Sequence, residues 1–253
     1  MNSIANQPVL ARIRIYPVKA FGPVEVSQSR ITSGGALEWD RAWALVDPDG
    51  RFINGKRFPA VHRLRFDFRL ETLSARLSGG AWFSLRDGWA GVLPDLSREL
   101  GVAVQVRHDD TGGFPDDTDA SGPTLVTDRS IREVSRWFAP LTEDDVRARF
   151  RANLEFAAPD PFWEDRLRGP FRCGDVAITA VNPCQRCIVP SRHPETGEDW
   201  PSFQKRFASH REASLPPWAH REQFNHFYRF AVNTRIGPDQ AGKILRVGDP
   251  LLL

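Results

Sequence analysis

The chain has 253 residues, room for one large domain or two modest ones, and its 41% hydrophobic and 26% charged content excludes a disordered or fibrous protein. Its 34 basic and 32 acidic residues are interspersed and leave a net charge of +2, so no basic block offers itself to a nucleic acid. No run of about 18 apolar residues offers a membrane span, residues 1–8 lack the regions of a signal peptide, and three cysteines do not make a secreted disulfide framework, which together imply a cytoplasmic protein.

In chain order, Leu10–Tyr16 alternates as a half-buried strand does, Gly22-Pro23 breaks it, and Val24–Ile31 resumes. Ala42–Val46 ends at the turn Asp47-Pro48-Asp49-Gly50, with Arg51–Ile53 predicted as the returning strand of a hairpin. Leu64–Leu70 and Ala81–Leu85 are further strands, and Pro94–Gly101 a short helix. The polar stretch Asp109–Asp119 reads as a solvated loop between two halves, 7–108 and 109–253. Asp128–Phe138 is a helix with Ile131, Val134 and Trp137 as its buried stripe, stopped by Pro140, and Pro201–Glu212 a third, with Phe203 and Phe207 one turn apart. Strands return at Phe150–Phe156, Val176–Val181, Phe227–Val232 and Lys243–Val247. The fold class is therefore mainly β with a few helices, α+β, its strands closely spaced as in a small barrel or sandwich.

Chemistry concentrates in Asn182-Pro183-Cys184-Gln185-Arg186-Cys187. The cysteine spacing permits a redox pair or half a zinc site, yet Cys173 and the histidines supply no second pair of recognised spacing, and Pro183 precedes the motif where a redox pair would start a helix. Arg186 favours a thiolate, suited to a nucleophile or a soft-metal ligand. The residues alone leave this open against two buried, inert thiols. Lys19, in Tyr16-Pro17-Val18-Lys19, can present an ammonium at a strand end, and Arg41, in Asp40-Arg41-Ala42-Trp43, can clamp a phosphate. Read as a strand, Arg149-Phe150-Arg151-Ala152-Asn153 puts Arg149, Arg151 and Asn153 on one face. Taken alone, each of these reads more readily as a solvated surface residue or, for Arg41, a surface ion pair with Asp40.

Taken in order, Tyr-Pro-Val-Lys, Asp-Arg-x-Trp, Arg-Phe-Arg-x-Asn, Cys-x-Arg-Cys and the closing Val247-Gly248-Asp249-Pro250 resemble the MOSC family over about Ile13 to Pro250. Glu164-Asp165, Gly174-Asp175-Val176 and Pro194-Glu195-Thr196-Gly197 are further matches. The resemblance implies an N-terminal β-barrel-like domain packed on a MOSC β-barrel domain, as in bacterial MOSC proteins and the mitochondrial amidoxime-reducing component. It also implies a molybdenum cofactor (molybdopterin), with Cys187 as the metal ligand. Lys19, Arg41, Arg151, Asn153, Arg186 and Tyr228 would contact the cofactor, and Asp119 would relay protons. Ala20 stands where many relatives carry a serine, and Arg151-Ala152-Asn153 where Arg-Pro-Asn is frequent.

The activity this implies is reduction of N-hydroxylated small molecules by an oxidoreductase. Its electrons would come from a separate donor protein, ferredoxin-like, flavoprotein or cytochrome b5-like, since no ferredoxin domain follows Leu253. No nucleic acid or membrane partner is expected. The alternatives are a sulfur carrier or transferase using a Cys187 persulfide, and a non-catalytic cofactor-binding protein.

Overall fold

The computed structural model describes residues 7–253; residues 1–6, part of the stretch read for a signal peptide, lie outside the described residues. Among the described residues there are fifteen strands and four α-helices. The first half holds β1 (Val9–Ile15), β2 (Val24–Val26), β3 (Gln28–Arg30), β4 (Trp43–Val46), β5 (Phe66–Arg69), β6 (Ser74–Leu77), β7 (Phe83–Ser84), α1 (Leu93–Leu100) and β8 (Gln105–His108). The second holds β9 (Leu125–Thr127), α2 (Asp128–Trp137), α3 (Glu143–Phe150), β10 (Leu154–Ala157), β11 (Gly169–Cys173), β12 (Val176–Gln185), α4 (Phe203–Ala213), β13 (Arg229–Arg235), β14 (Ile244–Arg246) and β15 (Leu251–Leu252). No helix among the described residues is long and apolar enough to cross a membrane.

Eight strands form one sheet in the order β15-β11-β12-β13-β9-β10-β1-β2, antiparallel except for the β9–β10 pair. A bridge from Val9 to Pro250 brings the start of β1 beside the segment leading into β15, so the sheet curls back on itself. The inward residues Leu10, Ile13, Ile15, Leu125, Phe156 and Ile178 form its dry interior. β1 and β2 precede the polar loop and yet belong to this sheet, and β3 pairs with β14. The sheet therefore crosses the 108/109 division.

The rest of the first half packs around Trp43, Leu45, Leu85, Trp89 and Leu96, on the pair β4–β8 and the three-stranded β5-β6-β7. α1 ends where Gly101 takes φ 68°, a left-handed C-terminal turn that costs glycine nothing. A third, aromatic cluster joins α2, α3 and α4, with Phe138 and Phe203 stacked at 4.3 Å and Phe207 fully buried.

Three predicted elements differ. The hairpin after Asp47–Gly50 is formed but short: Val46 bridges Phe52, the Ile53 N–H donates to the Leu45 carbonyl at 2.8 Å and the Asp47 N–H to the Arg51 carbonyl at 3.0 Å, while β4 pairs with β8 along its other edge. Val24–Ile31 splits into β2 and β3 at Ser27 as the chain passes from one sheet to another. The strand Phe150–Phe156 begins only at Leu154. Upstream, Thr142 and Asp145 cap each other's backbone and start α3, which runs to Phe150 and stops where Arg151 turns left-handed at φ 56°. Arg149, Arg151 and Asn153 consequently do not share a strand face.

Candidate functional site

A cavity of about 1110 Å³ opens between the two halves. Lys19, Arg41, Asn54 and His62 reach it from the first half, and Arg149, Arg151, Asn153, Arg186 and Cys187 from the second. Of the sequence-predicted site residues it gathers Lys19, Arg41, Arg151, Asn153, Arg186 and Cys187. Asp119 and Tyr228 are outside its wall.

Local backbone strain positions several of these groups. Ala20, Arg41 and Arg151 have φ of 76°, 54° and 56°, a region that costs non-glycine residues free energy and is kept where surrounding contacts enforce it. The Arg41 backbone N–H donates to the Tyr16 carbonyl at 2.7 Å, turning its guanidinium over the Tyr16 ring, 5.3 Å from the centroid. Arg151 lies over the same ring at 4.3 Å and donates to the Phe21 carbonyl at 2.6 Å. Asn153, 1% exposed, is consumed within the protein. Its Oδ1 accepts from Arg41 at 3.2 Å and from the Thr124 backbone at 3.3 Å, and its Nδ2 donates to the Arg14 carbonyl at 2.9 Å. Its contribution is to hold Arg41.

The charges are unequally matched. Lys19 Nζ donates to Asp116 Oδ1 at 2.5 Å and to the Phe114 carbonyl at 2.8 Å. Burial pushes the Lys19 ammonium below its usual range despite Asp116. Burial opposes the Asp116 charge as well, but Lys19, Arg41 and Lys56 outweigh it and hold the carboxyl low. Arg41 is paired with Asp40. Arg149, Arg151, Arg186 and Arg229 form no ion pair among the described residues and rest on carbonyls, a sulfur or an amide oxygen. Burial lowers the pKa of Arg149, Arg151 and Arg229, so each would gain from an anion.

Cys187 sits just past the end of β12, half-buried in the cavity wall. Arg186 between the cysteines donates to Cys184 Sγ at 2.9 Å and to the Phe150 carbonyl, and its backbone N–H donates to the Tyr228 carbonyl at 3.1 Å. Tyr228 therefore supports this segment through its backbone, while its ring packs on Phe207 at 5.4 Å and burial drives its phenol pKa up. The Asp119 side chain is exposed, its carbonyl held by Arg235. Asp116 and Asp117 of the same loop do reach the cavity. Among the described residues no three His, Cys, Asp or Glu side chains converge to bind a metal. A metal on Cys187 must therefore bring its other donors with it, as a dithiolene-bearing pterin does. A single soft thiolate beside a cationic wall fits such a group.

The sequence reading missed Arg192, His62 and Arg229, which line the same cavity. Only their charge or ring nitrogens mark them in the sequence, and nothing in their spacing brings them together.

Two family models match the chain in sequence order, overlapping at residues 124–143. Residues 7–143 match the family described as "MOSC N-terminal beta barrel domain" and residues 124–251 that described as "MOSC domain". A molybdenum cofactor sulfurase of Drosophila grimshawi is 26% identical over 231 residues, covering 77% of this chain and 29% of that protein. One of Oryza sativa is 24% identical over 243 residues, 75% of this chain and again 29% of the relative. The chain thus spans under a third of the length of these relatives. The solved structure of YiiM from Geobacillus stearothermophilus superposes with a TM-score of 0.34 at 12% identity, over 52% of this chain and 53% of that one. With its two parts matched in order across almost the whole chain, this protein belongs to the MOSC family.

Proposed function

We propose that the cavity holds a molybdenum cofactor through Cys187 and that the protein reduces N-hydroxylated compounds with two electrons from a separate donor protein. The observation that carries this reading is the pairing, in one cavity, of the half-buried Cys187 with guanidiniums, Arg151 and Arg186, that have no carboxylate partner among the described residues. When bound, the group would supply the two-electron redox chemistry. The chain's own residues do the remaining work. Cys187 offers a thiolate, Arg186 keeps its segment in place by three hydrogen bonds, and Arg151 with Arg41 and Lys19 offers cations to a phosphate. Breaking the N–O bond and releasing water consumes two electrons and two protons. Asp117, at the cavity, is the carboxylate we assign to pass protons from solvent, since Asp116 is engaged by Lys19 and Asp119 is outside the cavity wall.

The test is molybdenum and pterin content of protein made in a cofactor-competent host, with turnover of a hydroxamic acid under a chemical or protein electron donor. Cys187→Ala should lose the metal while its circular dichroism stays native; full molybdenum occupancy in that variant would overturn the assignment. The names of the curated relatives favour one second reading, a sulfur-handling role with a persulfide on Cys187. A mass increase of one sulfur on Cys187 in metal-free protein would establish it.

A further inference from the structure

Beyond the thiol and the clamp formed by Lys19, Arg41 and Arg151, the cavity has a second cationic end without an assigned role. Arg149 and Arg151 are two residues apart but diverge, because α3 ends between them. Arg151 turns to Tyr16 and Phe21, whereas Arg149 turns to the segment just after Cys187. There it donates to the carbonyls of Pro190 at 3.0 Å and Arg192 at 2.6 Å, with Trp200 5.6 Å from its guanidinium. Arg149 is 4% exposed and has no carboxylate partner among the described residues. Arg192, whose backbone carbonyl accepts from Arg149, also lines the cavity; its guanidinium donates to the Gly197 carbonyl at 3.2 Å, and among the described residues its only counter-charge is Asp199 at 3.5 Å, a side chain 58% exposed. His62 lines the same cavity from the first half, near enough for Arg151, Arg192 and Arg149 to disfavour its protonation.

Three nitrogens here are buried without a hydrogen-bond partner: Arg149 Nε, Arg192 Nε and His62 Nε2. Buried polar groups are normally satisfied, and an unpaired buried cation is costly. A neutral or cationic ligand would leave that cost in place. Burial and the three guanidiniums hold the His62 imidazole below its ordinary pKa, so near neutral pH it adds no positive charge of its own. The missing partner is an anion, and a guanidinium matches the planar fork of a carboxylate.

We propose that Arg149 and Arg192, with His62 beside them, form a subsite for the carboxylate of the substrate, so that the preferred substrates are N-hydroxylated compounds bearing an acidic group. This rests on the reductase reading for the reaction, but not for the binding. The binding test therefore uses molecules that cannot be reduced: para-carboxybenzamide and benzamide, the reduced forms of the corresponding hydroxamic acids. Both are titrated calorimetrically into cofactor-free and cofactor-loaded protein.

The wild type should bind the carboxylated amide at least about tenfold more tightly, the value of a charge-assisted pair. In Arg192→Gln the preference should fall to within about twofold. Arg149→Gln should do the same; Arg192 is less deeply packed, and its variant decides the matter should Arg149→Gln fail to fold. Equal affinities in the wild type, or a preference that survives Arg192→Gln, would overturn the subsite. So would a preference lost only in Arg151→Gln, which would put the carboxylate on the cofactor clamp. A subsite confirmed in protein that turns over neither hydroxamic acid would count against the reductase reading alone.

Discussion

Arg186 donates a hydrogen bond to Cys184 Sγ at 2.9 Å, so the two cysteines of the motif do different work. Cys187 is half-buried in the cavity wall, while Cys184, 9% exposed, is the acceptor that helps fix the arginine between them. Cys184→Ala leaves a buried guanidinium N–H unpartnered and should cost about 1–3 kcal/mol. Cys184→Ser keeps an acceptor and should recover much of that loss. Urea unfolding of the two variants checks the order.

Asn153 ties Arg41 to the Thr124 backbone and to β1. Asn153→Ala should destabilise the protein by about 2–3 kcal/mol, since buried partners are left unsatisfied. Cofactor content should fall as well, because Arg41 loses its lateral support. Denaturation and metal analysis on the same preparation measure the two effects.

Asp116 competes with any anionic ligand for Lys19. Asp116→Asn should therefore tighten pyrophosphate binding to cofactor-free protein by roughly threefold to tenfold. Without that carboxylate, burial takes the Lys19 pKa lower still, so the gain should shrink as pH rises. Calorimetry at two pH values reads both.

Glu164 is fully buried, its Oε2 accepting from Thr127 at 2.7 Å and Ser130 at 2.8 Å. Burial, then the neighbouring Asp165 carboxylate, push it up to about 7 from 4.5. The folded state thus holds this proton more tightly than the unfolded chain. The associated stability is complete below the unfolded value and is lost as pH rises through about 7. Wild-type stability should drop by roughly 2–3 kcal/mol over that window, and Glu164→Gln should flatten the profile. Thermal melts across the range decide it.

Much of the fold was legible because turns punctuate it. Asp47–Gly50 follows directly on the end of β4, and Gly22-Pro23 stands immediately before β2. The helix α3 escaped because Arg149-Phe150-Arg151 imitates strand alternation, although the reciprocal cap Thr142/Asp145 was there to be seen. The second partner of β4 was not legible: nothing local announces β8, which the distant Trp43 core brings alongside. At the site, ordered motifs brought Lys19, Arg41, Arg151 and Cys187 together across the chain. His62, Arg149 and Arg192 meet only through tertiary packing, and the direction of the Tyr228 ring depends on the aromatic cluster behind it.

The bridge between Val9 and Pro250 bears on how the protein is made. Leu10 donates to the Asp249 carbonyl and accepts from Gly248, and Leu251 donates to the Pro8 carbonyl. The start of β1 therefore waits for residues 248–251, and until they are in place its apolar residues Leu10, Ile13 and Ile15 lack their final neighbours. Such long-range closure slows folding. Closure of the large sheet, which holds both β1 and β12 of the cavity wall, is accordingly a late event in folding.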